Sequence, residues 1–277
     1  MEDQYFQQFE QFEYIRKDED VPGKYAMANK FIRMPKSLSA PALKVFILAL
    51  TKVAWNKINK KDQYGRITAT FTIREMIEAC GSTSNNFDYY REFIKELIRK
   101  SYFTCYEPQE RGGYMFQEYL LNPEKTEITI FISPILNQYI EKLGQGNFTV
   151  YLQSNTYRMK SRFSITLYWH LFSWMDHSRN RKDPFSKIVK LYTTEDLKDI
   201  FDLPDDAYCR ANGAFDRATF EKKVIIKAVE EINALSNLRV VWSKHKNGKK
   251  VVGYVFEAIR DDVHEVYHEK HGLGWNM

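Results

Sequence analysis

Several features that identify common protein classes are scarce or missing in this sequence. Its 277 residues include only three cysteines, Cys80, Cys105 and Cys209. They are odd in number and far apart, so they offer neither a disulfide framework nor a pair of metal ligands, and they suit a reducing cytoplasm. The longest apolar run, near 45–50, is far shorter than the roughly 20 residues that a bilayer-spanning helix needs. We therefore expect a cytoplasmic protein that has no membrane partner.

Sequence signatures of nucleotide-using enzymes are also missing. The chain contains neither Gly-x-x-x-x-Gly-Lys-Ser/Thr nor Gly-x-Gly-x-x-Gly, which argues against nucleotide hydrolysis. It also has no His-apolar-His pair that could bind a metal beside a nicking tyrosine. We therefore expect no cofactor and no enzymatic activity.

One enzyme-like motif is present in the C-terminal segment. His264-Glu-Val-Tyr-His268 fits the HExxH pattern of zinc proteases, and His271 follows it. A hydrolytic zinc site needs a further ligand and a substrate cleft, and little chain remains after the motif to supply them. We expect a solvated or packed tail; a zinc-dependent hydrolase that uses these residues is the less favoured alternative.

Apolar and aromatic residues, by contrast, are plentiful. Hydrophobic residues make up 44% of the chain, which includes 19 Phe and 18 Tyr. This supply can fill two cores and excludes disorder for the body of the chain.

The positive charge is unevenly distributed. Residues 1–150 carry 20 Lys/Arg against 19 Asp/Glu, residues 151–260 carry 20 against 13, and the last 17 residues carry 1 against 4. A local basic excess attracts a polyanion, because binding releases the counterions of that polyanion.

The sequence contains a weak internal repeat. Ile67, Phe71, Thr72, Glu75 and Met76 recur 121 positions later as Ile188, Tyr192, Thr193, Asp196 and Leu197. The match resumes at an offset of 135, where Phe93, Ile94, Leu97 and Ser101 correspond to Ala228, Val229, Ile232 and Ser236. Each copy predicts helix, strand, helix, longer helix and β-hairpin, the element order of a winged-helix domain. The predicted fold is helix-rich α+β, with two tandem winged-helix domains related by internal duplication.

These patterns divide the chain into four parts. Residues 1–24 form an acidic, aromatic-rich arm, which is either a helix packed on the first domain or a docking peptide. Residues 25–146 and 147–260 are the two predicted winged-helix domains, and residues 261–277 are an acidic, His-containing tail.

The best candidate site is the long helix predicted at 215–235 and the hairpin that follows it. A buried stripe of apolar residues leaves lysines on the opposite helix face, and Asn247-Gly248 predicts a two-residue turn at the hairpin tip. The candidate phosphate contacts are Lys222, Lys223, Lys227, Lys244, His245, Lys246, Lys249 and Lys250. The candidate base contacts are Arg217 and Thr219, with Arg210 and Asn212 just before the helix. The alternative interpretation is a solvated helix face and an ordinary solubilising turn.

The equivalent helix of the first module carries a surface of mixed charge. Its candidate accessory DNA contacts are Ser84, Asn85, Asn86, Arg91 and Lys95. The sequence leaves open whether this face contacts DNA or another protein.

Three segments of the second module resemble iteron-binding plasmid replication initiators of the Rep type. Ser161-Arg-Phe-Ser-Ile-Thr-Leu-Tyr-Trp-His-Leu-Phe is similar to the first helix of their second domain. Thr194-Glu-Asp-Leu197 with the segment from Phe220 to Asn233 resembles their most recognisable region, and the segment from Asn247 to Phe256 resembles their closing hairpin. A looser similarity extends over residues 25–260.

The resemblance implies sequence-specific binding of double-stranded DNA at repeated origin sites and a homodimer formed largely through the first domain. It also implies recruitment of the host initiator and the replicative helicase, without catalysis. Lys227 stands where many members carry proline, so we expect this helix to run unbroken. The same residues would serve a winged-helix transcriptional regulator, which is the main alternative. A protein-interaction scaffold without salt-dependent DNA affinity is a further one.

Overall fold

The computed structural model of the chain describes residues 23–32, 37–54, 57–81, 86–105, 111–141, 148–175 and 187–260. Nearly all of the N-terminal arm lies outside these ranges, as do Ser84, Asn85 and the tail with its His264-to-His268 motif. No helix within the described ranges is long and apolar enough to span a membrane.

The first half of the described chain forms a winged-helix domain. Its elements are β1 (Lys24–Ala28), α1 (Asn29–Ile32), α2 (Ala40–Thr51), β2 (Ile67–Thr72), α3 (Ile73–Cys80), α4 (Phe87–Arg99), β3 (Tyr102–Cys105), β4 (Arg111–Tyr114), β5 (Phe116–Leu121) and β6 (Glu127–Ile132). Three of these strands form an antiparallel sheet in the order β2-β6-β5.

A connecting segment and a second winged-helix domain follow. The connection contains a 3-10 turn (Pro134–Leu136), α5 (Asn137–Glu141), β7 (Phe148–Leu152) and α6 (Ser154–Tyr157). The second domain contains α7 (Arg162–Met175), β8 (Lys187–Thr193), α8 (Thr194–Ile200), α9 (Arg217–Phe220), a π-helical segment (Glu221–Ile226), α10 (Lys227–Leu235), β9 (Leu238–Asn247) and β10 (Lys250–Arg260). Its sheet has the order β8-β10-β9.

The structure confirms the internal repeat. The two three-stranded sheets share one connectivity, in which the first strand of each sheet, β2 or β8, pairs with its last, β6 or β10. Both first strands run into a capping box: Glu75 N–H donates to Thr72 Oγ1 at 3.1 Å, and Asp196 N–H donates to Thr193 Oγ1 at 3.0 Å. Each box satisfies amides that the helix itself cannot pair. The fold is therefore α+β with two winged-helix domains.

The first domain differs from the second by an inserted hairpin. The sequence predicted one wing after α4, with strands at 102–106, 114–121 and 127–132. Within the described residues β3 instead pairs only with β4, as a separate two-stranded sheet. The strand equivalent to β9 is β5, which pairs with β6.

The two halves of the chain share one hydrophobic core. β1 pairs antiparallel with β7, so that Tyr25 lies opposite Tyr151. On α7, Trp169 is 1% exposed, its Nε1 donates to the Tyr25 hydroxyl at 2.8 Å, and its ring lies 6.0 Å from that of Phe46 on α2. The predicted boundary at 146/147 separates β1 from its partner strand and stays a prediction.

Candidate nucleic-acid interface

The long helix of the second domain comprises α9, the π-helical segment and α10, at residues 217–235. It begins at Asp216, whose carboxylate accepts from the Thr219 amide at 3.2 Å. Its inner face is fully or almost fully buried and consists of Phe220, Val224, Ile225, Ala228, Val229 and Ile232. Lys222, Lys223 and Lys227 lie exposed on the outer face, as the sequence predicted.

The helix runs without interruption from Arg217 to Leu235, but its middle is not α-helical. Residues Glu221–Ile226 form a π-helical turn. A π-turn closes a wider ring and redirects the side chains that follow it, and such turns occur often at functional sites. The absence of proline at Lys227 predicted the continuity, whereas nothing in the sequence predicted the π-turn.

The wing turns one residue later than predicted. β9 extends to Asn247, which pairs with Lys250, so the two-residue turn is Gly248-Lys249 rather than Asn247-Gly248. Gly248 has a φ of 59°, a conformation that glycine adopts without strain. The five basic residues predicted on the wing are all exposed: Lys244, His245, Lys246, Lys249 and Lys250.

A buried carboxylate links the long helix to the wing. Glu221 is only 8% exposed, and its two carboxylate oxygens contact Lys244 Nζ at 2.7 Å and the Tyr254 hydroxyl at 3.2 Å. Burial, with the nearby Glu221 carboxylate, raises the pKa of Tyr254 to about 12, so the phenol keeps its proton and donates it. These contacts place β9 and β10 directly beside the first turns of the helix.

Most of the predicted phosphate contacts have unneutralised charges. Within the described ranges, six lysines have no carboxylate at ion-pair distance: Lys222, Lys223, Lys227, Lys246, Lys249 and Lys250. Lys244 is the exception, because it forms an ion pair with Glu221. The outer helix face and the wing therefore present a concentrated positive surface, which we call the basic surface and define by these six lysines.

The four residues predicted to contact bases differ in availability. Arg210 is exposed, with its Nε 3.6 Å from Asp216 Oδ2, and Asn212 is exposed, although its side chain accepts from the Ala214 amide. Thr219 is half-buried. Arg217 is also half-buried, and its Nη1 is enclosed by protein without a hydrogen-bond partner.

The Arg217 side chain packs against its own domain. Its guanidinium lies 5.7 Å from the Phe215 ring and interacts with the Tyr254 hydroxyl. A base contact by Arg217 stays a prediction, and it would require the guanidinium to turn away from Tyr254.

The corresponding helix of the first domain, α4, carries charges that largely cancel. Arg91 Nη1 lies 3.0 Å from Asp88 Oδ1, and Lys95 Nζ lies 2.7 Å from Glu92 Oε1. The Asn86 side chain accepts from the Asp88 amide as the N-cap of α4. Arg91 and Lys95, the two cations predicted as accessory DNA contacts, are thus already paired with carboxylates of the same helix.

We expect Lys95→Ala to reduce the salt dependence of DNA binding by much less than one unit of slope. A lysine already paired with Glu92 releases few counterions on meeting a phosphate, whereas an unpaired Lys223 should contribute about one unit. Binding isotherms of Lys95→Ala and Lys223→Ala, measured at several salt concentrations, give the two slope changes to be compared. Equal slope changes would show that α4 contacts phosphate as directly as the long helix does.

Sequence reasoning missed two residues of this surface. Glu221 was not singled out, because its partners lie 23 and 33 positions later in the chain. Ile226 is 37% exposed on the outer helix face between lysines. The sequence alone could have identified Ile226, since an aliphatic residue within a charged stripe breaks the amphipathic pattern.

Glu221→Ala should lower the free energy of unfolding by about 1–3 kcal/mol, because the buried Tyr254 hydroxyl loses its acceptor. Glu221→Gln keeps an oxygen at the same place and should lose less. Urea unfolding of both variants gives the two values, and equal losses would contradict the role assigned to this hydrogen bond.

Comparisons with known proteins agree with this architecture. The family model described as "Initiator Replication protein, WH1" matches residues 24–172, and the model described as "Initiator Rep protein, WH2" matches residues 193–258. No curated protein matches the chain. Among solved structures, the chain is similar to the crystal structure of Pi initiator protein in complex with iteron DNA. The identity is 18%, the match covers 88% of this chain and 99% of that chain, and the TM-score is 0.68, which shows a shared fold.

Proposed function

The chain belongs to the initiator replication protein family, and from this premise we propose that it binds repeated double-stranded sites at a plasmid origin. It is a DNA-binding replication initiator. In this proposal the protein itself catalyses no reaction. It acts in the cytoplasm, where its second domain binds duplex DNA. It then recruits the host initiator and the replicative helicase to the bound DNA.

The basic surface is the observation that carries this proposal. Lysine ammonium groups on the long helix and the wing neutralise phosphates and fix the position of the protein on the duplex, whereas outer helix side chains contact base edges. The Glu221 contacts hold the wing against the helix, so that both elements are positioned before DNA arrives. Preorganisation of this kind reduces the entropy that binding removes.

The first domain has a different proposed role. Its α4 face is nearly neutral through internal ion pairs, which suits an accessory contact with DNA or a contact with protein. We propose that this domain supports dimer formation, and Arg91 and Lys95 remain the candidates for any accessory DNA contact.

Footprinting on the DNA that flanks the gene tests the proposal. We expect protection of several repeated sites, spaced by whole helical turns, at concentrations that leave scrambled DNA unprotected. Addition of the protein to a supercoiled origin, with host initiator present, should then expose an AT-rich neighbour without cutting either strand. Specific binding without origin opening or replication would favour a transcriptional regulator, and strand cleavage would contradict the absence of catalysis.

A further inference from the structure

Ile226 is an aliphatic residue that the fold leaves unburied on the outer face of the long helix. The other large aliphatic residues of this helix between Val224 and Ile232 are at most 7% exposed, whereas Ile226 is 37% exposed. It therefore contributes less to the core than Ile225 beside it, which is 1% exposed.

Ile226 lies among the three lysines that the long helix contributes to the basic surface. It ends the π-helical segment, and it is exposed, as are Lys222 and Lys223 within the same segment. Lys227 follows it directly. When these lysines contact phosphates beside a groove, the side chain between them faces the groove floor.

We propose that Ile226 recognises thymine through the C5 methyl group of that base in the major groove. An isoleucine side chain neither donates nor accepts hydrogen bonds, and the thymine methyl is the apolar group that base pairs display in that groove. At a guanine, adenine or cytosine edge the same side chain would cover polar groups without pairing them, which disfavours those bases. This inference rests on the proposed function and adds a residue that selects sequence.

Deoxyuridine provides the test, because it differs from thymidine only by the missing methyl group and pairs identically. A preferred duplex is first selected from random DNA with the full chain. Each thymine of that duplex is then replaced by uracil, one at a time, and the affinities of the unsubstituted protein and of Ile226→Ala are measured.

At one or two adjacent thymines, uracil should weaken binding by the unsubstituted protein about fourfold, the effect of one buried methyl group. Ile226→Ala should bind the thymine duplex about fourfold more weakly and no longer distinguish thymine from uracil there. Ile226→Val, which keeps both γ-methyl groups, should retain much of the discrimination. All three proteins should show the same salt slope, because no charge has changed.

Val189→Ala is the matched control. Val189 is a 58% exposed aliphatic residue on β8 of the same domain, and its removal should leave every thymine-to-uracil difference unchanged. If Ile226→Ala and the unsubstituted protein respond identically to uracil at every position, the assignment is wrong while the proposed function stands. If the unsubstituted protein does not prefer the selected duplex to a scrambled one, the proposed function fails, and the assignment fails with it.

Discussion

Replacing Lys222, Lys223 and Lys227 together with alanine should lower the affinity for every duplex, specific or random, on the order of a hundredfold at physiological salt. Each lysine that neutralises a phosphate contributes about 0.9 to the slope of log affinity against log salt, so the slope should fall by about three units. The large expected effect follows from the absence of any ion pair to these lysines within the described residues. Titrations between low and physiological salt measure both quantities.

A double variant of the first domain provides the charge control. Lys57 and Lys60 are exposed on the segment between α2 and β2 of the first domain. Lys57→Ala with Lys60→Ala removes two positive charges outside the basic surface and should leave the slope nearly unchanged. A similar loss of slope per lysine in both variants would mean that net charge, rather than the basic surface, governs binding.

Trp169→Ala should lower the free energy of unfolding by about 3–5 kcal/mol, the usual range for removing a buried aromatic side chain. Trp169 joins the two halves of the chain, because it contacts Phe46 on α2 and donates a hydrogen bond to Tyr25 on β1. The substitution leaves a large cavity and removes the donor to the Tyr25 hydroxyl. Guanidinium unfolding, followed by fluorescence of the remaining tryptophans and by circular dichroism, measures the loss.

Trp169→Phe is the milder companion variant, since it keeps a buried six-membered aromatic ring and removes the smaller pyrrole ring with its N–H donor. It should lose clearly less stability than Trp169→Ala. If Trp169→Ala lost under 1 kcal/mol, the buried contact between α7 and the first domain would not support the fold as described.

The sequence predicted those parts of the fold that local signals determine. The capping residues Thr72 and Thr193 each lie between a strand and a helix, and a pattern of four consecutive residues suffices to specify such a cap. The buried stripe of the long helix follows equally from the spacing of its apolar residues. Because both copies carry these signals in one order, the two winged-helix domains could be predicted before the structure was known.

Features that depend on distant residues could not be predicted in the same way. The Asn247-Gly248 pair is a strong turn signal, but the pairing of β9 with β10 determines which two residues form the turn. A Cβ at Gly253 would lie 2.4 Å from the Tyr192 carbonyl oxygen, so glycine lets β8 and β10 approach there. The pairing of β1 with β7 joins segments more than a hundred residues apart.

In the candidate site too, some features follow from local sequence patterns and others depend on contacts that those patterns do not specify. Which lysines are exposed on the long helix followed from periodicity alone. Arg217 was chosen as a base contact from its place at the start of the helix, and this choice missed its half-buried position beside Phe215 and Tyr254. The π-turn that ends at Ile226 has no sequence signature comparable to proline or glycine.

Chemical acetylation of lysines, read by mass spectrometry with and without a bound duplex, tests the basic surface most directly. All six of its lysines should become much less reactive when DNA is bound, while Lys57 and Lys60 keep their reactivity. If these lysines stayed as reactive in the fully DNA-bound protein as in the free protein, that result would contradict the proposed DNA-binding surface.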